Sequence, residues 1–225
     1  MKITTVGDLN SYIIAPASGE QFPESLVIMV HGYGANGRDL IGLGAEWAPH
    51  CPDTMFISPD APELCEATPL GQQWFSLEDF SLPGMEKQII SAWRTLSDYI
   101  DRVSEEFRVP EQKILLCGFS QGTMMSLYTA LNRKSNCAGV LGYSGILLGM
   151  SHTDIPIIKK SIPIHLIHGS ADTVVPVEAW ENAMTFLKDN KFKNVTGHKS
   201  KGLGHNIDMN GVESGLYFIR ECLYT

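Results

Sequence analysis

The sequence predicts an α/β protein, a mostly parallel central sheet with helices on both faces. Short β-rich apolar runs alternate with stretches of helical period along most of the chain. Several of these runs are apolar on consecutive residues, as strands covered on both faces must be. The composition agrees. A chain of 225 residues with 44% hydrophobic and 19% charged content is an ordinary globular sequence, neither disordered nor collagen-like. With no repeat, low-complexity tract or polar linker, residues 1–225 read as one domain.

The strand candidates, in order, are Ser11–Ala15, Leu26–His31, Thr54–Ser58, Lys113–Cys117, Ala138–Tyr143, Pro163–His168 and Val195–Lys199. The clearest helix carries Ile89, Trp93, Leu96, Ile100, Val103 and Phe107, which recur at alternating spacings of four and three and form one apolar stripe. Pro110 ends it. Helices are expected after Ser120 and after Pro176. A last one runs from about Val212 to Leu223, with Val212, Leu216, Ile219 and Leu223 on one face. Residues 60–84 are the exception. They have no helical period yet carry Leu64, Leu70, Trp74, Phe75 and Phe80, and a long irregular apolar segment in a compact domain is usually functional.

Charge and cysteine usage narrow the partners. Seventeen Lys and Arg against 25 Asp and Glu leave a net charge of −8, which argues against a nucleic-acid partner. The longest apolar runs, such as Ser25–Val30 and Ile114–Cys117, fall far short of the ~18 residues of a membrane span, so no stable membrane insertion is expected. No apolar block or cleavage site follows Lys2, so no secretory signal is read. Cys51, Cys65, Cys117, Cys137 and Cys222 are odd in number and contain no C-x-x-C pair. That pattern argues against a zinc site or disulfide framework and fits a reducing cytoplasm.

The strongest chemical signal is Gly118-Phe119-Ser120-Gln121-Gly122. G-x-S-x-G alone can be a tight turn with a bystander serine. Here it follows a buried-strand pattern and precedes a helical one, the context of a nucleophile elbow. A neutral serine needs a base, and the base an orienting acid, in the chain order Ser, Asp or Glu, His. Asp172 lies in the loop after the strand that ends at His168. His205 follows the last strand in the flexible Gly202-Leu203-Gly204 loop. His50 and His152 read as surface residues, His165, His168 and His198 as structural imidazoles on strands, and His31 as a brace for its loop. Asp154, Asp189 and Asp208 compete for the acid, but none follows a buried strand as directly as Asp172.

Acyl transfer also needs N–H donors aimed at the oxyanion. The backbone of Gln121, just after the nucleophile, supplies one; Tyr33, in the loop after an early strand, is the expected second. The same loop, Gly32-Tyr33-Gly34-Ala35-Asn36-Gly37, also matches G-x-G-x-x-G, with Asp60 about 20 residues on, as in a dinucleotide site. That reading leaves Ser120, Asp172 and His205 as three coincidences in the right order.

Six blocks in order carry a resemblance: residues 31–37, Ser58 to Pro62, Trp74-Phe75, residues 118–122, His168 to Pro176, and Gly202 to His205. Together they resemble the phospholipase/carboxylesterase family, the branch of α/β-hydrolases that includes acyl-protein thioesterases and bacterial carboxylesterases. The resemblance implies an α/β-hydrolase fold without a large cap. It implies a serine esterase, with no cofactor or metal, acting on short- to medium-chain acyl esters, lysophospholipids or acyl-protein thioesters. Nucleophile, acid and base map to Ser120, Asp172 and His205, the oxyanion donors to Tyr33 and Gln121. Tyr33 stands where many members carry leucine, which bears on pocket size and not on the backbone donor. The family's flap corresponds to the stretch around Leu64 to Phe80, where Leu64, Leu70, Trp74, Phe75 and Phe80 are expected to line an acyl groove. A homodimer is compatible with this reading. The competing reading of another class is a catalytically silent member that binds an acyl ligand or a partner.

Overall fold

A computed structural model describes residues 1–19, 22–149 and 157–224. The chain runs β1 (Lys2–Val6), β2 (Leu9–Ile14), β3 (Ser25–Val30), α1 (Gly37–Trp47), β4 (Thr54–Pro59), β5 (Glu63–Leu64), β6 (Gln72–Gln73) and α2 (Leu82–Phe107). It continues through β7 (Ile114–Phe119), α3 (Gln121–Asn132), β8 (Gly139–Tyr143), β9 (Ile164–Gly169), α4 (Glu178–Asp189), β10 (Val195–Ser200) and α5 (Met209–Leu223). Eight strands form one sheet in the order β1-β2-β4-β3-β7-β8-β9-β10. β1 and β2 are antiparallel and the other six parallel.

The continuous apolar runs have the predicted cause. Along β3, Leu26, Ile28 and Val30 enter the core beneath α2, α3 and α4, while Val27 and Met29 enter the core beneath α1 and α5. β7 repeats the split, with Ile114 and Leu116 on one side and Leu115 and Cys117 on the other. Chain order places the site. β4 lies on one side of β3 and β7 on the other, so the carboxyl ends of β3 and β7 face a crevice at the reversal.

The seven strand candidates all fall on strands of this sheet. β1 was not expected: its Lys-Ile-Thr-Thr-Val is largely exposed and carries no buried run. α1 lies outside the helices expected from the sequence. An Asn36–Asp39 capping box starts it, Asn36 accepting the Asp39 N–H and Asp39 the Asn36 N–H, both at 3.1 Å. α2 begins seven residues before its apolar stripe, because the Ser81 hydroxyl caps the Gly84 N–H at 3.1 Å. His152 and Asp154 lie outside the described residues.

His165 gives the fold a pH dependence. Its ring nitrogens lie 2.7 Å from Thr196 Oγ1 and 2.7 Å from Ser214 Oγ, and the ring stacks on Phe218. Burial, with His198 alongside, pushes its pKa down to about 4. The unfolded imidazole takes up a proton near ~6.5 while the folded one does not, so stability is full above that pH and is lost as pH falls toward 4. Thermal melts should show His165→Gln losing roughly 5 °C less than wild type between those two pH values.

Candidate active site

The turn after β7 holds Ser120 at φ 54° and ψ −117°, a conformation costly for an L-residue. Glycines on either side make the turn possible. A Cβ on Gly122 would stand 1.8 Å from the Val30 carbonyl oxygen, and one on Gly118 would stand 2.4 Å from that of Gly122. Neighbouring strands fix the rest. The Ser120 N–H donates to the Tyr143 carbonyl at 2.8 Å, and the Thr123 hydroxyl accepts the Tyr143 N–H at 3.0 Å.

His205 Nε2 lies 3.0 Å from Ser120 Oγ, and its Nδ1 lies 2.7 Å from Asp172 Oδ2. Asp172 is fully enclosed, and its Oδ1 accepts the Val174 and Val175 N–H groups, both at 2.9 Å. Burial alone would raise this carboxyl's pKa. The hydrogen bonds from His205, Val175 and Val174 outweigh it and hold the group below its ordinary value. The two loops are laced together, the Ala171 N–H donating to the Leu203 carbonyl at 2.9 Å and the Gly202 N–H to Ser170 Oγ at 2.8 Å.

Across the crevice, Gly32 to Ala35 form a β-turn closed by Ala35 N–H to Gly32 O at 3.2 Å, with Gly34 at φ 76°. Among the described residues, no hydrogen bond engages the N–H of Tyr33 or of Gln121. His31 braces the turn. Its Nε2 accepts the Ala61 N–H at 3.0 Å, so Nδ1 carries the proton donated to Gly32 O at 2.8 Å; burial pushes its pKa down and keeps it neutral.

The Tyr33 ring turns toward the flap, where its hydroxyl donates to Glu66 Oε1 at 3.1 Å. Glu66 also accepts the Leu77 N–H at 2.8 Å and the Ser76 hydroxyl at 3.1 Å. The side chain of Gln121 makes the longest reach. Fully buried, it accepts the Trp74 N–H at 2.9 Å and donates to the Phe75 carbonyl at 2.8 Å, while the Trp74 indole N–H donates to His31 O at 3.0 Å. Sequence reasoning missed this clamp because residues 46 and 47 positions apart share no periodic signal.

One expectation needs correction, and the disfavoured rival fails as well. Leu64, Leu70, Trp74, Phe75 and Phe80 do not line one groove. Trp74 and Phe75 are each 2% exposed, drawn into the core by their clamped backbone, whereas Leu64, Leu70 and Phe80 are 75%, 89% and 71% exposed. The glycine-rich loop is no dinucleotide cradle either. Asp60 Oδ1 accepts the Gly37 N–H at 2.9 Å, placing a carboxylate at the helix start that a pyrophosphate would need.

The remaining candidates have structural partners. His168 Nε2 donates to the Val175 carbonyl at 2.8 Å, and His198 Nε2 accepts from the Asn210 amide at 3.1 Å. Asp208 caps α5, Asp189 and His50 are exposed, and Cys117 is buried in the core with its pKa pushed up by desolvation. Among the described residues, no three His, Cys, Asp or Glu side chains converge as metal ligands, and no helix is long and apolar enough to cross a membrane.

A mostly parallel sheet carrying serine, histidine and aspartate in hydrogen-bonded sequence at its carboxyl edge defines a serine hydrolase of the α/β-hydrolase fold. Among the described residues no large cap covers that edge. The family model for phospholipase/carboxylesterase matches residues 11–223, and the chain belongs to that family. It is 28% identical over 206 residues to acyl-protein thioesterase 1 of Schizosaccharomyces pombe, covering 88% of this chain and 90% of that protein. It is 26% identical to Esterase YpfH of Escherichia coli, covering 88% and 82%. The crystal structure of esterase PE8 superposes with a TM-score of 0.87 at 33% identity, covering 96% of this chain and 99% of that one.

The clamp predicts two outcomes. Gln121→Ala strands a buried N–H and a buried carbonyl and should cost about 2–4 kcal/mol in denaturant unfolding. Gln121→Glu can donate to Phe75 O only while protonated, so its folded pKa is raised and its stability is lost as pH rises. Its deficit against wild type should be small near pH ~4 and grow toward pH ~8.

Proposed function

We propose that the chain, as one catalytic domain, is a serine carboxylesterase. Its substrates are short- to medium-chain acyl esters, with lysophospholipids and acyl-protein thioesters in the same chemical class. The observation that carries this reading is the unbroken chain from Ser120 Oγ through both nitrogens of His205 to Asp172, at 3.0 and 2.7 Å. Two unengaged N–H groups beside it, on Tyr33 and Gln121, support the same reading.

In the first step His205 Nε2 takes the Ser120 proton as Oγ attacks the acyl carbon. The carbonyl oxygen gains negative charge and rests on the Tyr33 and Gln121 N–H groups, each such donor being worth on the order of 10²–10³ in rate. Asp172, enclosed and ionised, fixes the imidazole with Nδ1 protonated and stabilises the imidazolium. The scissile bond then breaks, its electron pair leaves with the alcohol or thiol, and His205 returns the proton to that atom. Water, deprotonated by His205, cleaves the acyl-enzyme the same way and regenerates Ser120.

Leu64, Leu70 and Phe80 stay as proposed acyl contacts at the surface of the flap, with Trp74 and Phe75 supporting them from beneath. Five unpaired cysteines support a reducing, cytoplasmic setting.

Ser120→Ala should lower ester hydrolysis by about 10⁴-fold or more and abolish labelling by a fluorophosphonate, with circular dichroism unchanged. Retained turnover in the pure variant, or a wild type that neither labels nor hydrolyses any ester or thioester, would sink the reading. Asp172→Asn tests the tautomer. An amide N–H facing Nδ1 makes that nitrogen the acceptor and leaves Nε2 protonated and unable to act as base. kcat should fall by about 10³–10⁴-fold while the fold survives.

A further inference from the structure

Beside the candidate site a cavity of about 490 Å³ opens between the start of α1 and the loop after β10. Gly32 and Phe119 form the wall nearest Ser120; a Cβ on Gly32 would stand 3.3 Å from the Ser120 Cβ. Asn206 and Ile207, next in chain to His205, form another wall, and the Phe119 ring lies 5.0 Å from the imidazole. The cavity therefore borders the candidate centre through Gly32 and Phe119 and lies along the imidazole's own loop.

Its outer wall is one stripe of α1. Asp39, Gly42, Leu43 and Glu46 recur at helical spacing and all face it. Leu43 and Ile207 make the interior apolar. Asp39 and Glu46 put two carboxylates on the rim, and no Lys or Arg lines the cavity. Gly42 is exposed, and a Cβ built on it meets nothing within 4 Å. The side chain missing there leaves room that a ligand can fill.

We infer that this groove binds the leaving-group half of the substrate and selects alcohols or thiols with an apolar body and no negative charge. The inference rests on the serine-esterase reading and deepens it. The argument is one of proton delivery. His205 Nε2 must hand its proton to the departing oxygen or sulfur, so that atom sits on the imidazole's side of Ser120, and the groove walled by Phe119, Asn206 and Ile207 is the space it enters. The flap, clamped to Gln121, is left to the acyl half. An anionic leaving group meets Asp39 and Glu46, and a cationic one is drawn to them.

The test uses butanoate esters of ethanol, 1-hexanol, 6-hydroxyhexanoate and 6-(trimethylammonio)hexanol, with kcat/KM read at low salt. Each methylene leaving water is worth up to about four-fold, so the hexyl ester should exceed the ethyl ester by at least about ten-fold. The cationic ester should exceed the anionic one several-fold, by a margin that shrinks as salt is added. Gly42→Trp fills the groove from a position outside the catalytic machinery. It should lower the hexyl ester far more than the ethyl ester, bringing the two to within about two-fold of each other. Gly42→Leu should do the same in smaller measure and serves if the tryptophan variant does not fold. Glu46→Lys should reverse the charge preference.

A hexyl preference that survives filling of the groove overturns the assignment, as does an equal loss on all esters in a folded variant. So does a Gly42→Trp enzyme that loses its dependence on acyl length, tested with ethyl esters from acetate to octanoate, since the groove would then hold the acyl half. In those cases Ser120 still labels and esters still turn over, so the esterase reading stands. Absence of both labelling and turnover in wild type removes the two together.

Discussion

The approach of Gly122 to the end of β3 governs the geometry of the centre. Its Cα sits so close to Val30 that no side chain fits between α3 and the strand, with a Cβ only 1.8 Å from the Val30 oxygen. That contact brings the first turn of α3 against the loop that leaves β3. Segments almost ninety residues apart, those carrying the unengaged N–H groups of Gln121 and Tyr33, are brought together beside Ser120. The strain at Ser120 is maintained by strand-end hydrogen bonds to β8 and by the glycines around it. A larger residue at 122 would separate α3 from β3 before it touched any side chain of the candidate site.

Polar bonds in dry surroundings then hold the flap to the same point. Gln121 follows Ser120 directly and sets its side-chain amide on Trp74 and Phe75, so one residue ties the candidate site and the flap together. His31 closes the circuit, its carbonyl taking the Trp74 indole and its ring spanning Gly32 and Ala61. Each of these groups is costly to leave unpaired in a buried site, so the arrangement is close to all-or-none. Glu66 anchors the outer half of the flap through Tyr33, Ser76 and Leu77, where water competes for the bonds. The inner flap is accordingly the part bonded in dry surroundings, and the turn that carries Leu70 is exposed.

What could be read from the sequence follows from the range of the interaction. Buried parallel strands declare themselves because both faces demand apolar residues, and all seven runs lie on the sheet. The elbow is local, and G-x-S-x-G between a strand and a helix carries its own context. Asp172 and His205 were legible because chain order and strand ends are linear information. Trp74 was misread as a groove residue. Its identity fits either a binding surface or a core, and only its bonds to Gln121 and His31 decide between them. Asp60 shows the converse, a spacing that matches one site while the side chain serves another, capping α1. β1 was missed because a polar edge strand leaves no apolar trace.

Microscopic reversibility connects the groove to the second half of the reaction. On the esterase reading, the water that cleaves the acyl-enzyme gives its proton to the same His205 Nε2 that released one to the leaving group, so it must stand where that atom stood. A groove that takes the alcohol or thiol becomes, once vacated, the route by which this water arrives. On the same reading the acyl chain stays on the flap side, where Trp74 and Phe75 are buried. Asp39 and Glu46 keep the vacated groove hydrated, while Leu43 and Ile207 give water little reason to remain deep within it before the bond breaks. An apolar interior beneath an acidic rim therefore serves both steps, favouring the organic group first and admitting water after it leaves.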